Sequence, residues 1–129
     1  MNLARCVGQT PQTMQPIVHL ELHTGDLSAA RDYYSRLCGW SSEPVPTGNG
    51  PYQAMDVGNG GVGGGIVQCG TPRALWLPYV EVDRVDSATE RARDLGARVL
   101  LPPREGPAGW RSVVRSAIGA ELAFWQPKR

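Results

Sequence analysis

The stretch His19–Trp40, HLELHTGDLSAARDYYSRLCGW, changes its hydrophobic period part-way along, and that change decides the fold. From Pro16 to His23 apolar and polar residues alternate strictly, with the β-branched pair Ile17–Val18 at the start, which predicts a strand. Val18, Leu20 and Leu22 share one face and His19, Glu21 and His23 the other. Asp26 can then cap a helix whose apolar positions Leu27, Ala30, Tyr34 and Leu37 recur at helical spacing. Gly39 is a natural stop, with Trp40 packing just beyond it.

Working outward, SSEPVPTGNGP (41–51) is turn-rich and without periodicity. Two strands, YQAMDV and GVGGGIVQ, follow, joined through GNGG, where an Asn-Gly pair suits a hairpin because both residues tolerate positive φ. The triplet Gly63–Gly65 is poor for strand stability and marks a bulge or a close approach to the backbone. It lacks the spacing and the Lys-Ser/Thr pair of a phosphate loop. The strand–helix order then returns. LWLPYVEVD is strand-like, and Val85, Ala88, Ala92 and Leu95 keep helical spacing before Gly96. LLPPREGPAG is turn-rich, with Arg98–Leu101 credible as a strand, and WRSVVRSA with AELAFWQ makes a second hairpin around Ile118–Gly119.

Each half thus has one helix to cover one sheet face. Val80 and Val82, then Leu122 and Phe124, extend the helix-packing set begun by Val18, Leu20 and Leu22. The opposite face collects His19, Glu21, His23, Leu77, Tyr79, Glu81, Glu121, Ala123 and Trp125. If the sheet curves toward them, these residues line a concavity of aromatic walls and a few ionisable groups, suited to a small organic molecule.

The composition limits the function. The chain has 129 residues, 41% hydrophobic and 19% charged, with a formal net charge of +1, so it offers no general basic footprint for nucleic acid or an anionic membrane. Cys6, Cys38 and Cys69 are odd in number and without a C-x-x-C, which points to reduced thiols and a cytoplasmic protein rather than a disulfide scaffold. Residues 1–15 read as a loose lead-in without signal-peptide character. Residues 16–129 read as one domain, with modules at 16–70 and 74–127.

HLELHTGDLSAARDYYSRLCGW, LWLPYVEVDRVDSATERARDLGARVLLPP and the closing IGAELAFWQP, in this order, resemble the glyoxalase/bleomycin-resistance/extradiol-dioxygenase superfamily, the vicinal oxygen chelate proteins. The resemblance implies an α+β fold of two βαβββ modules forming a cupped mixed sheet, often in a homodimer. Its second strands would fall in SSEPVPTGNGP and VLLPPREG. It also implies metal ligands on four strands. His19 matches one position, whereas Leu77 and Ala123 occupy two others and GVGGGIV supplies no donor at the fourth. Apolar side chains cannot replace them. The expectation is therefore the metal-lacking branch, with no metal and no cofactor.

Three readings of function follow. The first is metal-independent binding of a small apolar or aromatic metabolite or drug. The second is metal-independent isomerase or lyase-like catalysis on a natural product, in which His19 moves a proton, Glu21 or Glu121 tunes it and Tyr79 bonds a developing oxyanion. The third is a metal-dependent glyoxalase, epimerase or dioxygenase. His23, Tyr52, Leu77, Glu81, Trp110, Ala123 and Trp125 are the substrate-binding candidates. Clustering of Glu21, Glu81 and Glu121 would raise at least one of their pKa values. No nucleic acid or membrane partner is expected.

Overall fold

The computed structural model describes residues 14–46, 52–58 and 62–128. The chain order is β1 (Ile17–Thr24), α1 (Leu27–Cys38), β2 (Ser41–Pro44), β3 (Tyr52–Asp56) and β4 (Gly63–Gln68), followed by β5 (Leu75–Glu81), α2 (Val85–Asp94), β6 (Arg98–Glu105), β7 (Gly109–Arg115) and β8 (Glu121–Pro127). These form two βαβββ modules in one mixed sheet, ordered β2-β3-β4-β1-β5-β8-β7-β6. β1 pairs in parallel with β4 and β5 in parallel with β8, while β1 and β5 meet antiparallel and join the modules. The Asn59–Gly60 turn lies outside the described residues, as does most of the lead-in.

α1 begins where Asp26 accepts from the Ala29 amide at 3.0 Å and ends at Gly39, whose φ of 72° is the left-handed geometry a glycine tolerates. Leu22, Leu27, Met55 and Ile66 form the core under α1, with Tyr34, Trp40 and Trp76 packed against it. Leu37, though in helical phase, is 63% exposed, so this helix buries a narrower stripe than its periodicity suggests. Under α2 lie Val80, Val82 and Val85, flanked by Ala88, Trp110, Leu122 and Phe124. Thr89 and Ser112 share a 2.7 Å hydroxyl bond in this second core, and Thr89 also donates to the Val85 carbonyl.

β2 and β6 are the segments whose composition reads as turn. Both are edge strands, each paired on one side only. An edge tolerates proline, because the missing N–H faces no partner. Pro44 ends β2, and Pro102 and Pro103 sit in β6, where the register slips between Val99 and Leu101 and again before Arg104.

Candidate active site

The first strand's polar face turns away from α1 and gathers around one carboxylate. Glu21 is buried, with its side chain 8% exposed, whereas His19 and His23 keep 27% and 23% of theirs open to solvent. His23 Nε2 lies 2.8 Å from Glu21 Oε1, and His19 Nε2 lies 3.6 Å from Oε2. An ionised carboxylate only accepts hydrogen bonds. His23 Nε2 therefore carries a proton, and in the neutral ring Nδ1 is left as an acceptor, 3.9 Å from Cys69 Sγ.

β5 supplies the next layer. The Tyr79 hydroxyl donates to Glu21 Oε1 at 2.9 Å and accepts from Arg111 Nη1 on β7, also at 2.9 Å. The Tyr79 ring stands edge-on to the His19 ring, with centroids 5.2 Å apart. On the other flank the Tyr52 hydroxyl of β3 lies 3.3 Å from His19 Nε2. The glycines of β4 permit this. His19 pairs with Gly63 and Glu21 with Gly65. A Cβ on Gly63 would stand 2.9 Å from His19 Nδ1, and one on Gly65 would collide with the Tyr52 phenol. Gly63 and Gly65 thus leave bare backbone against which the His19 and Tyr52 rings pack, while Gly64 faces Val57 and Met55 on the other side.

Burial pushes the Glu21 carboxyl up, but hydrogen bonds from His19, His23 and Tyr79, with the charge of His23, outweigh it and bring the pKa from 4.5 to about 2. The expected carboxylate cluster with a raised pKa does not form. Glu121 is held at 3.0 Å by Arg115 near the hairpin end, and among the described residues no hydrogen bond or ion pair joins Glu81 to Glu21. Burial, then the Glu21 charge, raises Tyr52 to about 12. The same two causes raise Tyr79 further, with Arg111 opposing. Both phenols keep their protons at neutral pH.

His19, Glu21, His23, Tyr52 and Tyr79 are thus brought together. Leu77 and Ala123, 2% and 0% exposed, form the floor with Leu75, Val113 and Trp125 around them. Trp110 is not brought in. It packs on the opposite face beside α2, where it borders a depression of about 210 Å³ with Arg84, Val85, Asp86 and Gln126. Two neighbours escaped the sequence reading. Arg111 could have been found by phasing β7, since Trp110, Ser112 and Val114 face the α2 core and leave Arg111 and Val113 for the other side. Cys69 carried no signal, because its approach to His23 depends on the parallel register of β1 and β4.

Several solved structures share this architecture. Methylmalonyl-CoA epimerase from Mycobacterium tuberculosis superposes with a TM-score of 0.64 over 88% of each chain, at 14% identity. The fold is the vicinal oxygen chelate fold. Among curated proteins, a putative glyoxylase, CFP32, of Mycobacterium tuberculosis is 34% identical over 118 residues, 85% of this chain and 45% of its own length. The anthracycline biosynthesis protein DnrV of Streptomyces peucetius is 27% identical over 124 residues, 82% of this chain and 45% of its own. The chain therefore spans less than half the length of the curated relatives it matches. No family model matches the chain.

These likenesses correct the sequence expectation. A putative glyoxylase and a series of epimerases belong to the class expected above to be metal-dependent. Placement in a metal-lacking branch, and metal-independent binding as the function, are overturned by the likeness to these enzymes. The donors this face could offer an ion are His19, Glu21 and His23. Their geometry does not fit one: the two imidazoles take opposite oxygens of a single carboxylate instead of converging on a point. Among the described residues no group of three or more His, Cys, Asp or Glu is placed to hold an ion. No helix of the described residues is long and apolar enough to cross a membrane.

Proposed function

We propose that the chain is an enzyme of the glyoxalase and epimerase class, moving a proton at the carbon beside a carbonyl of a small substrate. The observation that carries this reading is the buried, ionised Glu21 held between two imidazoles that remain partly open to solvent. A carboxylate with a pKa near 2 is a poor base at neutral pH, but it orients the rings beside it. His19 is the group that takes the proton, since it is the more exposed of the two rings and touches Tyr52. Tyr52, kept protonated, donates to the oxygen on which charge develops. Tyr79 is committed to Glu21 and acts as a support. No step is routed through a divalent ion, whose donor set the described residues do not supply.

Two further points belong to this proposal. The curated relatives have more than twice the matched length, and a homodimer of this chain would be of comparable size. Free thiols at Cys38 and Cys69 support a reducing, cytoplasmic setting.

The test is solvent-deuterium entry at the carbon beside the carbonyl, followed by proton NMR with methylmalonyl-CoA and with the hemithioacetal of a 2-oxoaldehyde. Both are assayed on chelator-treated protein and again with divalent ions added, the second arm reading the metal dependence that the epimerase likeness brings. Catalysed exchange in either arm, reduced at least tenfold in H19A, supports the reading. Absence of exchange from every arm overturns it.

A further inference from the structure

Arg111 belongs to this cluster, yet the proton transfer above does not use it. It stands on β7 opposite Trp125 of β8, while Val113 stands opposite Ala123 and Ala123 opposite Tyr79. The guanidinium therefore reaches Tyr79 diagonally across Ala123, the smallest side chain on that row. Ala123 is fully buried beneath this crossing. Its hydrogen bond within the cluster uses one N–H, from Nη1 to the Tyr79 hydroxyl.

Among the described residues the charge of Arg111 has no direct counter-ion. Among the described residues Arg115 is paired with Glu121, Arg93 with Glu90, Arg31 with Asp32 and Lys128 with Glu105, all as ion pairs within 4 Å. Arg111 forms no such pair among the described residues. Of the carboxylates on its side of the sheet, Glu21 is already taken by two imidazoles and by the hydroxyl that separates it from Arg111, and Glu121 is taken by Arg115. A half-buried guanidinium over an apolar floor of Val113, Ala123 and Trp125 is costly unless an anion joins it. Its planar fork has two parallel N–H groups to give a carboxylate.

We infer that Arg111 is the substrate-anchoring residue and that the substrate carries a carboxylate, gripped there while its carbonyl carbon lies toward His19. This deepens the proposed function and rests on the same face being the substrate site, but it does not require turnover. Tyr79 then has a second consequence. By holding Arg111 at one nitrogen it fixes the direction in which the fork opens.

The experiment is isothermal titration of the full chain with malonate and with its neutral counterpart malonamide, on wild type, R111Q and R111K. Malonate is expected to bind wild type, and malonamide at least tenfold more weakly. R111Q should lose malonate affinity at least tenfold. R111K, which keeps the charge without the fork and guards against a folding defect in R111Q, should lose it several-fold. Equal affinity for malonate and malonamide, or malonate binding unchanged in both arginine variants, overturns the anchor. Loss of deuterium exchange in wild type with malonate binding intact would remove the proton-transfer reading and leave the anchor standing.

Discussion

The acid sensitivity of this fold should be traceable to a single carboxylate. Glu21 has a folded pKa of about 2 against an ordinary 4.5, a difference equivalent to ~3 kcal/mol of stability. The sign follows from which state binds protons more tightly. A depressed folded value means that the unfolded chain takes up the proton first. The stabilisation is therefore complete above pH 4.5 and is lost as the pH falls through 2. Integrated between pH 6 and pH 3, the loss comes to about 2 kcal/mol, a sizeable part of the roughly 5–15 kcal/mol that holds a domain together. The assay is urea unfolding followed by tryptophan fluorescence at several pH values, comparing wild type with E21Q. E21Q should be the less stable protein at pH 6, because the charge-assisted bonds to His23 and Tyr79 become neutral ones. The gap should shrink by about 2 kcal/mol at pH 3, since only in wild type does residue 21 take up a proton on unfolding there. A gap that stays constant across this range would refute the assignment of a strongly depressed pKa to Glu21.

Other perturbations address the supports of the site. Y79F removes the hydroxyl between Arg111 and Glu21 and should cost about 1–3 kcal/mol in thermal unfolding, with any exchange activity reduced although Tyr79 touches no substrate in the proposed mechanism. G65A should push the Tyr52 phenol off β4 and destabilise by about 1–3 kcal/mol through overpacking, and G65A/Y52A should recover part of that loss. S112A leaves the buried Thr89 hydroxyl with its Val85 carbonyl bond but without its second partner, and should cost about 1 kcal/mol in chemical unfolding with the site's activity unchanged.

The central strands were legible because both of their periods are written in the residues. β1 alternates strictly, and the same phase carried through β5 and β8 places His19, Glu21, Tyr79 and Ala123 on one face. The edge strands were legible only in part, at Arg98–Leu101 of β6, because an edge needs neither alternation nor a full set of amides. Pro102 and Pro103 therefore look like loop until β7 is seen beside them. The site was half legible. Period two gave the face but not the reach of side chains across it. Glu121 shares that face yet is drawn to Arg115, and Arg111 crosses two strand spacings to reach Tyr79. Trp110 failed for a simpler reason: it stands at the turn-rich entry to β7, and the alternation of that strand puts it with Ser112 on the α2 side. The Gly63–Gly65 strip could be read as a close approach, but its occupants depend on the parallel register of β1 with β4.

The antiparallel seam between β1 and β5 divides the chemistry as well as the chain. His19, Glu21, His23 and Tyr52 come from the segment before residue 70, and Tyr79 and Arg111 from the segment after 74. A chain nicked between those points would yield two fragments, each carrying an open sheet margin and an unfinished set of partners. Recombining them would restore the Tyr79–Glu21 bond at the moment the seam closes, so that one hydroxyl reports on the reunion of the whole protein.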